Sequence, residues 1–89
     1  MNQTRTLPLN VHLVERERET HAEVRIELES GIVLTGHGVA HRHPQDSDVP
    51  VIGDELATAR ALSELSHRLL ETAASTIGGI EHRKVQLTL

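Results

Sequence analysis

The spacing of apolar residues changes once along the chain, and that change constrains the fold more than any other feature. Through residues 7–42, apolar and polar side chains alternate, a period of two that is typical of half-buried β-strands. Over residues 54–76, apolar side chains recur at the spacing of one face of an α-helix. The sequence therefore predicts a β-sheet followed by a single long helix.

The alternating region divides into three predicted strands. Residues 7–13 and 22–28 form the first two, and the charged run 15–20 between them is predicted to be a turn. Ser30-Gly31 is a short hairpin signal, because glycine readily adopts a positive φ. A third strand over residues 32–42 then completes an antiparallel meander.

Small residues share one face of the third predicted strand. Gly36, Gly38 and Ala40 are two positions apart, which indicates that a helix backbone lies close to them. On the predicted helix, the apolar arc spans roughly 180°, wider than the ~100° stripe needed to cover one sheet. The helix is therefore expected to contact its own sheet and a second chain. The arc consists of Leu56, Ala59, Leu62, Leu65, Leu69, Leu70, Ala73 and Ile77.

Proline and glycine set the predicted ends of the helix. Residues 43–53 are predicted to be a loop, because Pro44 and Pro50 each favour an extended predecessor. Gly53 or Asp54 is the predicted N-cap, with Asp54 and Glu55 in the first turn, where acidic side chains complement the helix dipole. Gly78-Gly79 is the predicted stop.

The C-terminal residues 80–89 return to alternation. Val85, Leu87 and Leu89 share one face, which predicts a fourth strand, added to its own sheet or exchanged with a neighbouring chain. The order β-β-β-α-β predicts one α+β domain over residues 1–89, with two layers: an antiparallel sheet and one long helix.

Composition points to a second subunit. The chain has 89 residues and contains no Phe, Trp, Tyr or Cys, so its core has neither large aromatic side chains nor disulfides to stabilise it. A homodimer is therefore expected to supply additional burial. The candidate interface residues are Leu65, Leu69, Val85, Leu87 and Leu89.

Several classes of protein are disfavoured. No apolar run reaches 18 residues and the N-terminus lacks an apolar signal region, so a cytoplasmic protein is expected. Binding of single-stranded nucleic acid by stacking needs aromatic side chains, which are absent, and the net charge is −4. Ser63, Ser66 and His67 lie outside any G-x-S-x-G motif, so no enzyme, small-molecule substrate or cofactor is predicted.

Histidines provide a further candidate site. His37, His41 and His43 share odd parity and could line one face of the third strand and its exit, where imidazoles can bind a transition metal. A solvated face is the alternative, because no ligand spacing such as HExxH is present. The acidic stretch 46–48 lacks the glycine and terminal glutamate of an EF-hand and is predicted to form turn and cap contacts.

Residues 36–70 resemble a family of small actinobacterial proteins of unknown function with a double-stranded-RNA-binding-domain-like (dsRBD-like) fold. The matching residues include Gly36, Gly38, Pro44, Pro50, Gly53, Asp54, Glu55 and Arg60. With the upstream strands, the resemblance covers nearly the whole chain. A structural role is expected for these residues.

The resemblance also implies a function. The fold is similar to that of ribosome hibernation-promoting factors, which suggests a homodimeric stress or dormancy regulator acting on the ribosome or on structured RNA. The chain departs from a typical dsRBD, whose helix starts with lysines, because Asp54-Glu55 stand there instead. A protein-interaction module without nucleic-acid binding and a histidine-based metal binder are the alternatives.

Overall fold

Three antiparallel strands and one helix make up the fold. The computed structural model describes residues 2–42, 50–81 and 85–88. The sheet has the order β1-β2-β3, so β2 is central and the other two are outer strands. This architecture confirms the predicted α+β class, an antiparallel sheet with one long helix. The elements are β1 (Leu9–Arg16), β2 (Glu19–Glu27), β3 (Val33–His41) and α1 (Pro50–Glu81).

Two short turns connect the strands. The charged run 15–20, predicted to be a turn, mostly continues β1 and β2, and the turn is confined to Glu17 and Arg18. Glu17 adopts a φ of 53°, in the left-handed region that is unfavourable for a side chain with a Cβ atom. The second turn contains Gly31 with a φ of 89°, so the turn predicted at Ser30-Gly31 is confirmed.

Helix α1 lies so close to β3 that two glycines are required there. A Cβ atom on Gly36 would lie 2.7 Å from the backbone nitrogen of Leu65 and closer still to the carbonyl oxygen of Ala61. On Gly38 it would lie against the backbone of Ala57 and Ala61. The close approach predicted from the small residues of the third strand is therefore confirmed.

The core is small and consists of aliphatic side chains between the helix and the two nearest strands. Leu28, Leu34 and Leu69 pack around its edge. Of the arc predicted to contact the sheet and a second chain, Leu65 is buried, whereas Leu56, Ala59, Leu62 and Ala73 are exposed on this chain. Ala57 and Ala61 lie against the sheet where the helix backbone comes closest to Gly36 and Gly38. The buried core residues are Ala22, Val24, Ile26, Ala40, Ala57, Ala61 and Leu65.

The predicted ends of the helix were wrong at both termini. The helix begins at Pro50 rather than near Asp54. Proline is well suited to the first position of a helix, because the backbone N–H group that it lacks would have no hydrogen-bond partner in the first turn. The first turn of α1 therefore contains no acidic residue, and Asp54 and Glu55 lie in the second. The helix also runs through Gly78-Gly79 to Glu81, because a glycine costs a helix only about 1 kcal/mol relative to alanine.

The predicted fourth strand is not observed in the described C-terminal residues. Ile80 belongs to the helix, and residues 85–88 have no regular secondary structure. The order is therefore β-β-β-α over these residues, with a three-stranded sheet. Leu89 and residues 43–49, which include His43 and Pro44, lie outside the described residues.

Candidate functional site

The register of the strands assigns every side chain of the sheet to one of two faces. Val24 is paired with Val11 of β1 and Gly36 of β3, so these three residues share a face, and the helix packs on it. Glu23 is paired with His12 and His37, which therefore share the opposite, outer face. The two faces carry different chemistry.

The helix-bearing face is left uncovered along β1. Leu9, Val11 and Leu13 are paired with Ile26, Val24 and Ala22 of the buried core. They remain 42%, 43% and 41% exposed, because the helix lies over β2 and β3. We call Leu9, Val11 and Leu13 the β1 surface.

The orientation of the helix places one of its leucines on the same side. Ala61 faces the sheet, and the guanidinium Nη1 of Arg60 donates a 2.7 Å hydrogen bond to the carbonyl oxygen of Val39 in β3. Leu62 follows 200° around the helix from Arg60 at 100° per residue, so it lies on the side towards β1. Its side chain is 38% exposed. Leu62 is thus an exposed apolar side chain on the side of the helix that faces β1.

The outer face gathers four histidines, one on β1, one on β2 and two on β3. We call His12, His21, His37 and His41 the histidine face. The rings of His21 and His37 are 5.5 Å apart. Glu19 lies between His21 and His41. Its carboxylate is 3.0 Å from Nδ1 of His41 and 3.6 Å from Nε2 of His21.

The histidine face is not a preorganised metal site. Within the described residues, no group of three or more His, Cys, Asp or Glu side chains is placed to hold a metal ion. His37 and His41 share one face of β3, as their parity predicted, whereas His43 lies outside the described residues. Only the register of the strands shows that His12 and His21 share this face and that Glu19 lies among the rings.

Two further family-motif residues, Gly53 and Arg60, lie where the helix meets the sheet. A Cβ atom on Gly53 would lie 2.7 Å from the hydroxyl oxygen of the buried Thr20. Arg60 joins the helix to an outer strand through Val39. Both positions are in contact with the sheet, in line with the structural role expected for the motif residues. In the sequence, only the family motif pointed to these positions.

The candidate dimer-interface residues are dispersed. Leu65 is 2% exposed and lies in the core of its own chain, and Leu69 packs against that core. Val85 is half-buried and Leu87 is exposed. Both line an open groove of about 570 Å³ between residues 85–88 and the second half of the helix.

The serine and histidine residues of the helix do not form a nucleophile–base pair. The Nδ1 atom of His67 is 2.8 Å from the backbone carbonyl oxygen of Ser63, one helical turn earlier. This contact uses the main chain of Ser63 and leaves its hydroxyl uninvolved.

The described part of the chain contains no helix with the length and hydropathy needed to cross a membrane.

Comparison with known proteins places the chain in one family. Residues 5–86 match the family model described as Rv2632c-like. The chain is 37% identical over 81 residues to the uncharacterized protein Rv2632c of Mycobacterium tuberculosis (strain ATCC 25618 / H37Rv), covering 91% of this chain and 86% of that protein. An uncharacterized protein of Mycobacterium bovis (strain ATCC BAA-935 / AF2122/97) is 37% identical over 79 residues, or 89% of this chain and 83% of the relative.

A solved structure gives the same result. The crystal structure of Rv2632c superimposes with a TM-score of 0.84 at 35% identity, covering 92% of this chain and 96% of that chain. The match extends over the sheet and the helix described above. The chain therefore belongs to the Rv2632c-like family.

Proposed function

We propose that this chain is a non-enzymatic binding protein that docks another protein on the β1 surface. The observation that carries the proposal is the exposure of Leu9, Val11 and Leu13 on the face of the sheet that holds the core. With Leu62 they form an apolar area on the order of 300 Å², the scale at which patches on a soluble protein are often functional.

The position of this surface favours a protein as its occupant. The side chains lie in a row along an outer strand and are each more than 40% exposed, whereas small molecules are usually bound in enclosed cavities. Of residues 9–13, only His12 is ionisable, and its side chain lies on the outer face, away from the β1 surface. A partner with an apolar strand or helix face is thus complementary to it.

Site-specific photocrosslinking in cells tests the proposal. A photoreactive residue replaces Val11 in one variant and Leu56 in the other. The two side chains are almost equally exposed, at 43% and 44%, but Leu56 lies on the helix away from the β1 surface. We expect a defined protein adduct from position 11 and none from position 56. Equal adducts from both positions, or none from position 11, would overturn the proposal.

Action on the ribosome or on structured RNA is the second candidate, supported by the resemblance to dsRBD-like proteins and hibernation-promoting factors. The histidine face favours it, because four imidazoles, whose ring N–H groups can donate hydrogen bonds to phosphate oxygens, lie on one sheet surface. Glu19 and Glu23 on that face oppose the attraction to phosphate.

Co-sedimentation with ribosomes tests this second candidate. Binding through phosphate contacts should weaken steeply as salt is raised. Co-sedimentation that is absent at low salt would reject a ribosomal role.

A further inference from the structure

Within the residues that the structure describes, strand β1 has an open edge, and its protective residues, Pro8 and Glu15, lie towards its ends. It is an outer strand, and its eight residues pair with β2 without a bulge. Residues 9–13 contain no proline, lysine or acidic side chain, the devices that usually prevent one sheet edge from pairing with another. In the described part of the chain, no hydrogen bond outside the sheet ladder involves the β1 backbone.

The other outer strand is different. The carbonyl oxygen of Val39 in β3 accepts a 2.7 Å hydrogen bond from Arg60 of the helix. The β3 backbone is therefore partly occupied by the chain itself, and the helix packs beside it. An incoming strand has a less obstructed approach to β1.

The thin core adds a reason for association. Leu65 and Val24 are the largest side chains that are fully buried, and most of the other buried core residues are alanine. A domain of this size with so little buried volume commonly gains stability from a second subunit. The apolar surface left open beside that core lies on β1.

We infer that the occupant of the β1 surface is a second copy of this chain, paired antiparallel through β1 about a two-fold axis at Val11. This inference rests on the proposed function and specifies the docked partner. It joins two three-stranded sheets into one of six strands, with both helices on the same face. The two β1 surfaces then form one continuous apolar strip between the helices.

The choice of axis follows from side-chain parity and chemistry. Inner-face residues of one strand must oppose inner-face residues of the other, because successive side chains alternate between faces. An axis at Val11 places Leu9 opposite Leu13 of the partner subunit, so apolar side chains of the inner face meet over residues 9–13. An axis at His12 would place Leu9 opposite the charged Glu15, and one at Asn10 would bring Pro8, which has no N–H donor, into the ladder.

The absence of cysteine makes the register directly testable. In a Val11→Cys variant, the two introduced thiols would face each other, with Cβ atoms about 4.5–5.5 Å apart in the strand pair. In a Leu9→Cys variant they would be about 13 Å apart along the strands, too far for a disulfide. The two thiols of a Leu13→Cys dimer would be equally far apart. In a mixture of the Leu9→Cys and Leu13→Cys variants, the thiol at position 9 of one subunit would lie opposite the thiol at position 13 of the other.

Mild oxidation followed by mass measurement reads out the pairing. We expect Val11→Cys to give a species of twice the chain mass of 9.8 kDa, and the Leu9 and Leu13 variants to crosslink at least tenfold more when mixed than alone. Efficient crosslinking of the Leu9 variant with itself would overturn the register. Far-ultraviolet circular dichroism of each reduced variant confirms that the fold is retained.

The mass of the unmodified protein in solution separates this inference from the proposed function. A monomer at every concentration overturns the inference, whereas a photocrosslinked adduct of a different protein at position 11 would still support the proposed function. A dimer that dissociates with Leu87→Asp but not with Val11→Asp would assign the interface to the C-terminal residues and overturn pairing through β1. The expected result is dissociation with Val11→Asp and an unchanged dimer with Leu87→Asp.

Discussion

Replacing Gly38 with alanine tests the close packing of the helix backbone against β3. A Cβ atom at this position would lie 2.8 Å from the Cβ atom of Arg60 and closer still to the backbone of Ala57 and Ala61. Backbone atoms of a helix cannot rotate away as a side chain can. The helix must therefore move by roughly 1 Å, which loosens the packing of the whole core.

Two opposing effects decide the magnitude. Alanine in place of glycine in a strand would by itself stabilise the protein by about 0.5–1 kcal/mol, because the unfolded chain loses less entropy. Forcing an extra carbon into a packed contact costs about 1–3 kcal/mol and more when backbone must shift. Because helix backbone must shift here, we expect a steric cost of about 3–4 kcal/mol, at or just above the top of that range, which leaves a net loss of about 2–3 kcal/mol. The total stability of a domain of this length is roughly 4–13 kcal/mol.

Thermal unfolding followed by far-ultraviolet circular dichroism measures this loss. A decrease of about 2–3 kcal/mol corresponds to a melting temperature lower by roughly 8–24 °C in a domain of this size. Gly79→Ala is the matched control, because Gly79 is in the helix and a Cβ atom there would meet nothing within 4 Å. There we expect an increase of up to about 1 kcal/mol. If Gly38→Ala melts at or above the temperature of the unmodified protein, the close contact is refuted.

Three further substitutions test separate features of the fold, each by urea unfolding at a fixed protein concentration. Leu65→Ala removes the largest buried side chain and should lower the free energy of unfolding by about 2–5 kcal/mol; a loss below about 1 kcal/mol would contradict its central position. Glu17→Gly relieves the positive φ of 53° and should raise stability by a few tenths to about 1 kcal/mol, whereas a loss would show that the turn is not strained. Arg60→Gln removes the hydrogen bond to Val39 and should cost about 0.5–1.5 kcal/mol, and no change would mean that this exposed contact does not stabilise the fold.

The order of the elements could be predicted because each repeats a local pattern. Alternation along β2 and β3 reflects a sheet with one buried face, and Gly36 and Gly38 record the approach of a helix backbone. The C-terminal alternation at Val85 and Leu87 has the same appearance, yet residues 85–88 form no strand. A short pattern cannot show whether a neighbouring strand is available to pair with it.

The surfaces could be predicted less well than the elements. The wide apolar arc of the helix suggested that Leu65 and Leu69 would meet a second chain, but Leu65 belongs to the chain's own core and Leu69 packs beside it. The exposed apolar residues of the sheet are instead on β1, whose sequence looks like that of any half-buried strand. Burial depends on where the helix lies above the sheet, and no local pattern encodes that position.

The sequence by itself determined the α+β class, the single long helix and the glycines on which it rests, because these follow from periodicity and from the space that a Cβ atom occupies. Only the tertiary structure decided that Ala57 and Ala61, rather than the neighbouring leucines, face the sheet. It also decided that the helix covers β2 and β3 and leaves β1 open. The physical reason is that one helix, about 10 Å wide, spans about two strands spaced about 4.8 Å apart, so a third strand stays uncovered.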